Sequence, residues 1–339
     1  MKITYLLGAG ASANALPLIK ANTDNEGLSR AILGYINSKK HKNFYGEIDT
    51  SIENLAAGRI GTKIFELLDS LASECLVFDT PDIFAKYLLE TGQIEKYKYL
   101  KSLISAFFFN QEVDKNKFDK RSLTFLTSIL NESKFPDEIK IISWNYDTQI
   151  EIASEMLDPK QLGRTNFSSW PINYLKGEAN PNTPFILHIN GVSGYIDSLA
   201  DDNYCKKATE DLDILGQKKT FLSFAWEEES KYHFQQDPFL GNRLDLAKKM
   251  INGTEILVVI GYSFPYFNRK FDKVIINTCR PSLTKVYYQD PGVDIENFKS
   301  KFPFLGSYVP TESALGNVVP AVNVVKISDT NNYFIPYEL

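Results

Sequence analysis

Only three histidines occur in the 339 residues. One of them, His188, ends the stretch FILH (185–188) and stands directly before Ile189, Asn190 and Gly191. A histidine titrates near neutrality, so at a strand end beside a turn it is suited to accepting a proton; the same position also suits a hydrogen-bonded core side chain. Asn145 and Asp147, in SWNYD (143–147), are two residues apart, and an extended backbone directs both to one side. An amide can donate and accept while a carboxylate accepts from hydroxyls, a pairing suited to a polyhydroxylated ligand. Asp147 also precedes TQIEIASEM (148–156), where it would serve as a helix cap.

Two glycine turns complete the set. GAGAS (8–12) contributes Gly8, Ala9, Gly10 and Ser12 directly after ITYLL. Glycines there permit close backbone approach, and a following helix N-terminus could receive a pyrophosphate. The third glycine of the dinucleotide fingerprint is missing, and no strand ending in an acidic ribose reader follows about twenty residues later, so a simple strand-to-helix turn is the competing reading. GYSFP (261–265) follows EILVVI and contributes Gly261 and Ser263. The other histidines are not at strand ends: His41 falls in KKHKN, read as a charged loop, and His233 in a glutamate-rich stretch.

The elements that must position these residues are short apolar runs: ITYLL (3–7), IKIISW (139–144), FIL (185–187), EILVVI (255–260), TKVYYQD (284–290) and AVNVVKI (321–327). Runs without polar alternation suit strands of a mostly parallel sheet covered on both faces by helices, an α/β, Rossmann-like class. Between 51 and 130 the periodicity becomes helical, in ENLAAGRIGTKIFELLDSLASECL, in PDIFAKYLLETGQIEKYKYLKSLISAFFF after Thr80 and Pro81, and in RSLTFLTSILNE. This divides the chain into a first sheet segment (1–50), an inserted helical subdomain (51–135) and the remainder of the sheet domain (136–339). The AFFF run (106–109) is more apolar than one exposed helix face and is expected to be buried. KTFLSFAWEEESKYHF (219–234) reads as helical near its centre, with Glu227, Glu228 and Glu229 solvated.

Composition narrows the functions. With 37 basic and 42 acidic residues and no Lys/Arg block, direct nucleic-acid binding is not expected. No apolar run reaches membrane-spanning length. Lys2 and the short run 3–7 imitate a secretory signal, but the run reads better as a buried strand, which leaves a cytoplasmic protein as the expectation. Cys75, Cys205 and Cys279 are far apart and without a CxxC, so neither a four-cysteine zinc site nor a disulfide framework is expected, and the metal expectation is none.

The ordered set GAGAS, WNYD, LHING and GYSFP resembles the NAD-binding core of the sirtuin superfamily, in particular its divergent bacterial branch found in antiphage defence. The resemblance implies that Gly8, Ala9, Gly10 and Ser12 hold the pyrophosphate and that Asn145 and Asp147 contact the nicotinamide ribose. It also implies His188 as the catalytic base, Gly261 and Ser263 at the dinucleotide, and the segment Tyr288 to Asp290 near the adenosine half. The zinc module of the deacylases is absent, as is their GIPxFR segment. NAD hydrolysis is therefore the implied activity, with NAD as substrate, a homo-oligomer and a defence partner such as an ATPase or an Argonaute-like protein. An ADP-ribosyl or acyl transferase and a non-catalytic subunit binding NAD or a signalling nucleotide are the alternatives.

Overall fold

In the computed structural model, the residues described are 1–19, 27–45, 66–78, 80–113, 118–130, 135–157, 186–193, 220, 222–224, 226–227, 243–305 and 322–339. Six strands form one sheet: β1 (Ile3–Leu7), β2 (Ile139–Ser143), β3 (Ile186–His188), β4 (Ile256–Ile260), β5 (Lys285–Gln289) and β6 (Asn323–Ile327). Their order is β3-β2-β1-β4-β5-β6 and every neighbouring pair is parallel, a Rossmann-like arrangement. β1 is central and wholly buried, with Leu7 opposite Ser143 on one side and Ile260 on the other. β3 runs one residue later than the apolar run suggested, so His188 is itself a strand residue, paired with Ser143.

The helices are α1 (Gly27–Tyr45), α2 (Pro81–Glu90), α3 (Ile94–Val113), α4 (Lys120–Ile129), α5 (Gln149–Leu157), α6 (Arg243–Ile251), α7 (Arg269–Cys279) and α8 (Ile295–Lys301), with residues 66–75 also helical. Strand side chains alternate between the two faces, as the pleat requires. Leu6, Ile142, Leu257 and Val259 pack with Ala247, Ile275 and Phe298 of α6, α7 and α8. Tyr5, Ile141 and Val258 pack on the other face with Phe125 and Leu126 of α4 and Ile150 of α5. A third core joins α1, residues 66–75, α2 and α3, and takes in Tyr146 and Phe224. Residues expected as one helical subdomain thus divide between this third core and, through α4, the sheet face.

Three expectations needed correction. The helical stretch beginning at Pro81 is two helices: Gly92, with φ +73, ends α2, and Gln93 N then donates to Leu88 O, closing the turn. His41 lies in α1 and not in a loop, while His233 lies outside the described residues. Glu227 is buried, accepting from Tyr97 Oη, Phe224 N and the Lys101 ammonium at 2.9 Å, because a cation and two donors replace its hydration; residues 226–227 form a 3-10 turn. Glu228 and Glu229 lie outside the described residues. Within AFFF, Ala106, Phe107 and Phe108 are buried and Phe109 is partly so. No helix among the described residues is long and apolar enough to cross a membrane.

Two glycines with open space around them separate backbone geometry from packing. Gly34 lies inside α1 and Gly92 is left-handed, and a Cβ on either meets nothing within 4 Å. Gly34→Ala should stabilise by about 0.5–1 kcal/mol, whereas Gly92→Ala should destabilise by about 1–2 kcal/mol. Urea denaturation of both variants checks this, and equal shifts of one sign would contradict the helix break at Gly92.

Candidate active site

The chain winds from β1 to β2 and β3 on one side of the sheet and from β4 to β5 and β6 on the other. The change of direction lies between β1 and β4, where open α/β sheets place ligands at the carboxyl ends of the strands. GAGAS leaves β1 there and GYSFP leaves β4. Gly8 N donates to Ile260 O at 2.9 Å and Gly10 N to Gly261 O at 3.0 Å. A Cβ on Gly10 would stand 2.7 Å from Gly261 Cα, and one on Gly261, whose φ is +59, would stand 2.4 Å from Gly10 Cα. A Cβ on Gly8 would stand 2.5 Å from Tyr262 Cα.

The glycines are therefore required first by contact between the two turns, and the space expected for a pyrophosphate at Gly10 is occupied on that side by Gly261. The expected α-helix directly behind GAGAS is also not found. Ala9–Ser12 is a single 3-10 turn, and the next described helix, α1, begins at Gly27.

The polar residues singled out in sequence meet on this platform. Asn145 Nδ2 donates to Gly8 O at 2.9 Å and to Ser12 Oγ at 3.2 Å. The Ser12 hydroxyl in turn faces the Asp147 carboxyl group, which also accepts from Gln149 N at 3.3 Å at the start of α5. His188 Nδ1 lies 3.1 Å from Asn145 O, and since a carbonyl only accepts, Nδ1 carries hydrogen. Ser12, Asn145, Asp147 and His188 are all buried. Asn190, from the same turn as His188, ties it to the segment after β2 by donating from Nδ2 to Trp144 O at 2.9 Å.

His188 has a partner that sequence reading missed. Its Nε2 lies 2.7 Å from Glu151 Oε1, in the first turn of α5. An acidic residue there reads in sequence as a complement to the helix dipole. Burial opposes charge on the imidazole, but the Glu151 carboxyl, together with the Asn145 carbonyl and Asp147, raises the His188 pKa above its ordinary value. Burial pushes Asp147 up to about 6, against the Ser12 hydrogen bond and the attraction of His188.

Two more carboxyl groups reach the site from the helical layer. Glu112 on α3 accepts from Thr148 N and from Ser193 Oγ at 2.9 Å, and burial, with Asp147 nearby, pushes it up to about 8. The signal for Glu112 was its spacing: it lies four residues beyond Phe108 and continues the buried helix face. Asp82 on α2 accepts from Tyr146 Oη at 2.7 Å, and burial holds it at about 6. The carbonyl side of GAGAS is gripped by Arg121, whose Nη2 donates to Ala11 O at 3.0 Å, and by Tyr333 Oη, which donates to Ala11 O at 2.6 Å. Neither had a local sequence signal.

Ser263 and Asp290 are at the same edge but outside this group. Ser263 is exposed, and its carbonyl accepts from Lys301 Nζ at 2.9 Å. Asp290 is half-buried and accepts from Gly292 N at 2.8 Å, closing its own turn. Among the described residues no group of three or more His, Cys, Asp or Glu could hold a metal ion. No protein-family model matches the chain, and no curated protein matches it.

The contact between the turns makes Gly10→Ala destabilising by about 1–3 kcal/mol before any ligand is added, and Gly261→Ala more so because of its left-handed backbone. Calorimetry without NAD checks this; a Gly10→Ala protein as stable as wild type would mean that the two turns are not in contact. Glu112 supplies a pH test. Its pKa rises from 4.5 to about 8 on folding, so the folded state holds the extra proton and stability falls as pH rises through that window. Glu112→Gln cannot titrate, so its melting temperature should fall less than that of wild type between pH 5 and 8. Parallel curves for the two proteins would contradict the buried placement of Glu112.

Proposed function

We propose that the chain binds NAD at the β1/β4 edge and cleaves its nicotinamide–ribose bond with water, releasing nicotinamide and ADP-ribose. The observation that carries this reading is the convergence of Ser12, Asn145, Asp147 and His188 from three separate segments into one buried hydrogen-bonded group at the edge where such sheets bind nucleotides. The sirtuin-like motifs support NAD in particular.

In this reaction the C1′–N bond breaks with its electron pair leaving on nicotinamide, which departs neutral and needs no general acid. Water oxygen then bonds to C1′ and one proton is released. The protein's part is to hold the ribose and stabilise an oxocarbenium-like carbon by orientation and electrostatics. Asn145 is held by its two donor bonds, and among the described residues no donor reaches its amide oxygen, which is left for a ribose hydroxyl or the water. Asp147 supplies the carboxyl group beside it, and the His188–Glu151 pair lies behind both. Depletion of NAD in antiphage defence, a cytoplasmic location, a homo-oligomer and an ATPase or Argonaute-like partner follow from the resemblance alone.

A second reading has one observation in its favour. Both His188 ring nitrogens are engaged, as they would be in a subunit that binds a nucleotide without turning it over. Purified protein incubated with NAD and followed by chromatography separates the two, since the hydrolase forms nicotinamide and ADP-ribose without any added acceptor. Asn145→Ala should lower turnover by about 10²- to 10⁴-fold while remaining folded. His188→Ala should keep most NAD affinity and lose turnover. Wild-type protein that binds NAD and forms no nicotinamide would leave the binding-subunit reading in its place.

A further inference from the structure

We infer that Glu151 is the positioning residue of this site: it fixes the His188 ring in one orientation and one protonation state, and through His188 it fixes the backbone at Asn145. The catalytic consequence rests on the NAD reading; the positioning itself does not.

Nδ1 must donate to the Asn145 carbonyl, so the 2.7 Å contact at Nε2 needs a second proton between nitrogen and Glu151 Oε1. The surroundings place that proton on the nitrogen. Glu151 comes from α5, Asp147 from the loop after β2, and Glu112, on α3, faces both of them. Among the described residues His188 is the one basic side chain in this group of three carboxyls. Glu151 Oε2 is buried with no hydrogen-bond partner among the described residues, so Glu151 is bound only through His188. A buried carboxylate held by a single bond is tolerated beside a cation and is costly beside a neutral ring. The raised pKa of His188 agrees with this arrangement. His188 is thereby a charged anchor for the Asn145 peptide, and Asn145 is the residue whose amide reaches Gly8 O and Ser12.

The test is imidazole ¹⁵N NMR across pH on wild type and Glu151→Gln, with the His188 signal identified by its loss in His188→Gln. In wild type both ring nitrogens should be protonated at neutral pH. In Glu151→Gln the titration midpoint should fall by about one unit or more, because burial then acts without its main opposing charge. A purely structural side chain would not move this signal. A wild-type His188 that is neutral at pH 7, or a midpoint unchanged in folded Glu151→Gln protein, overturns the inference; the wild-type spectrum alone can do so if the variant fails to fold. With NAD, Glu151→Gln should lower kcat more than it raises KM and should displace the pH–rate profile. If wild type does not cleave NAD but the His188 midpoint shifts as expected, the proposed activity falls and the positioning role stands. If wild type cleaves NAD and Glu151→Gln keeps both its midpoint and its profile, only the positioning role falls.

Discussion

The contact on which the rest of the site depends is the one between Gly10 and Gly261. Two backbone turns approach so closely that an added Cβ on either would fall within 2.7 Å of the other's Cα. That approach extends the β1–β4 pairing past the ends of the strands and sets where Gly8 O, Ser12 and the Asn145 amide can meet. Aromatic packing holds the arrangement from behind. Trp144 stacks on Tyr262 at 5.3 Å across the end of β1, and Phe264, with φ 53, keeps a left-handed backbone while its ring packs against Phe298 and Phe302. A left-handed phenylalanine is strained, and such strain persists where surrounding packing over-determines the conformation.

The loop after β2 is held from a second direction. Asp82, Glu112 and Asp119 all lie in the region expected as a helical insertion, and each bonds one of the residues Tyr146, Thr148 and Gln149 of this loop and the start of α5: Tyr146 Oη donates to Asp82, Thr148 N to Glu112, and Asp119 N to Gln149 Oε1. These are buried hydrogen bonds, so losing one leaves a buried polar group unpaired. The helical layer is thus tied by hydrogen bonds to the loop that carries Asn145 and Asp147, the two residues that flank Tyr146 in the chain. Arg121 and Tyr333 do the same for the first turn by holding Ala11 O, and Gln289 keeps the C-terminal segment in place through Asp329 O, Asn332 O and Phe334 N.

Much of the fold was legible because its signals are local. Five-residue apolar runs such as ITYLL and ILVVI can be satisfied only by burial on both faces, and glycine or polar residues immediately after them mark where the strands stop. The break at Gly92 was missed because apolar spacing continues through Thr91 and Gly92, and only the backbone conformation shows that the second helix starts afresh. Glu227 was misread because a run of glutamates looks solvated unless the Lys101 and Tyr97 that neutralise it, more than a hundred residues earlier, are known to be adjacent.

The sequence by itself determined which residues end the strands, and so which side chains could gather at the carboxyl edge: Ser12, Asn145, Asp147 and His188. These follow from residue type and short-range spacing. Only the tertiary structure decided the strand order, the contact that makes Gly10 and Gly261 obligatory, and the environments that set each titratable group. His188 and Glu151 are 37 residues apart, and Glu112 and Ser193 are 81 apart. Whether a histidine is a neutral base or a charged anchor depends on which carboxyl groups the packing brings within a few ångströms, and sequence spacing carries no such distance.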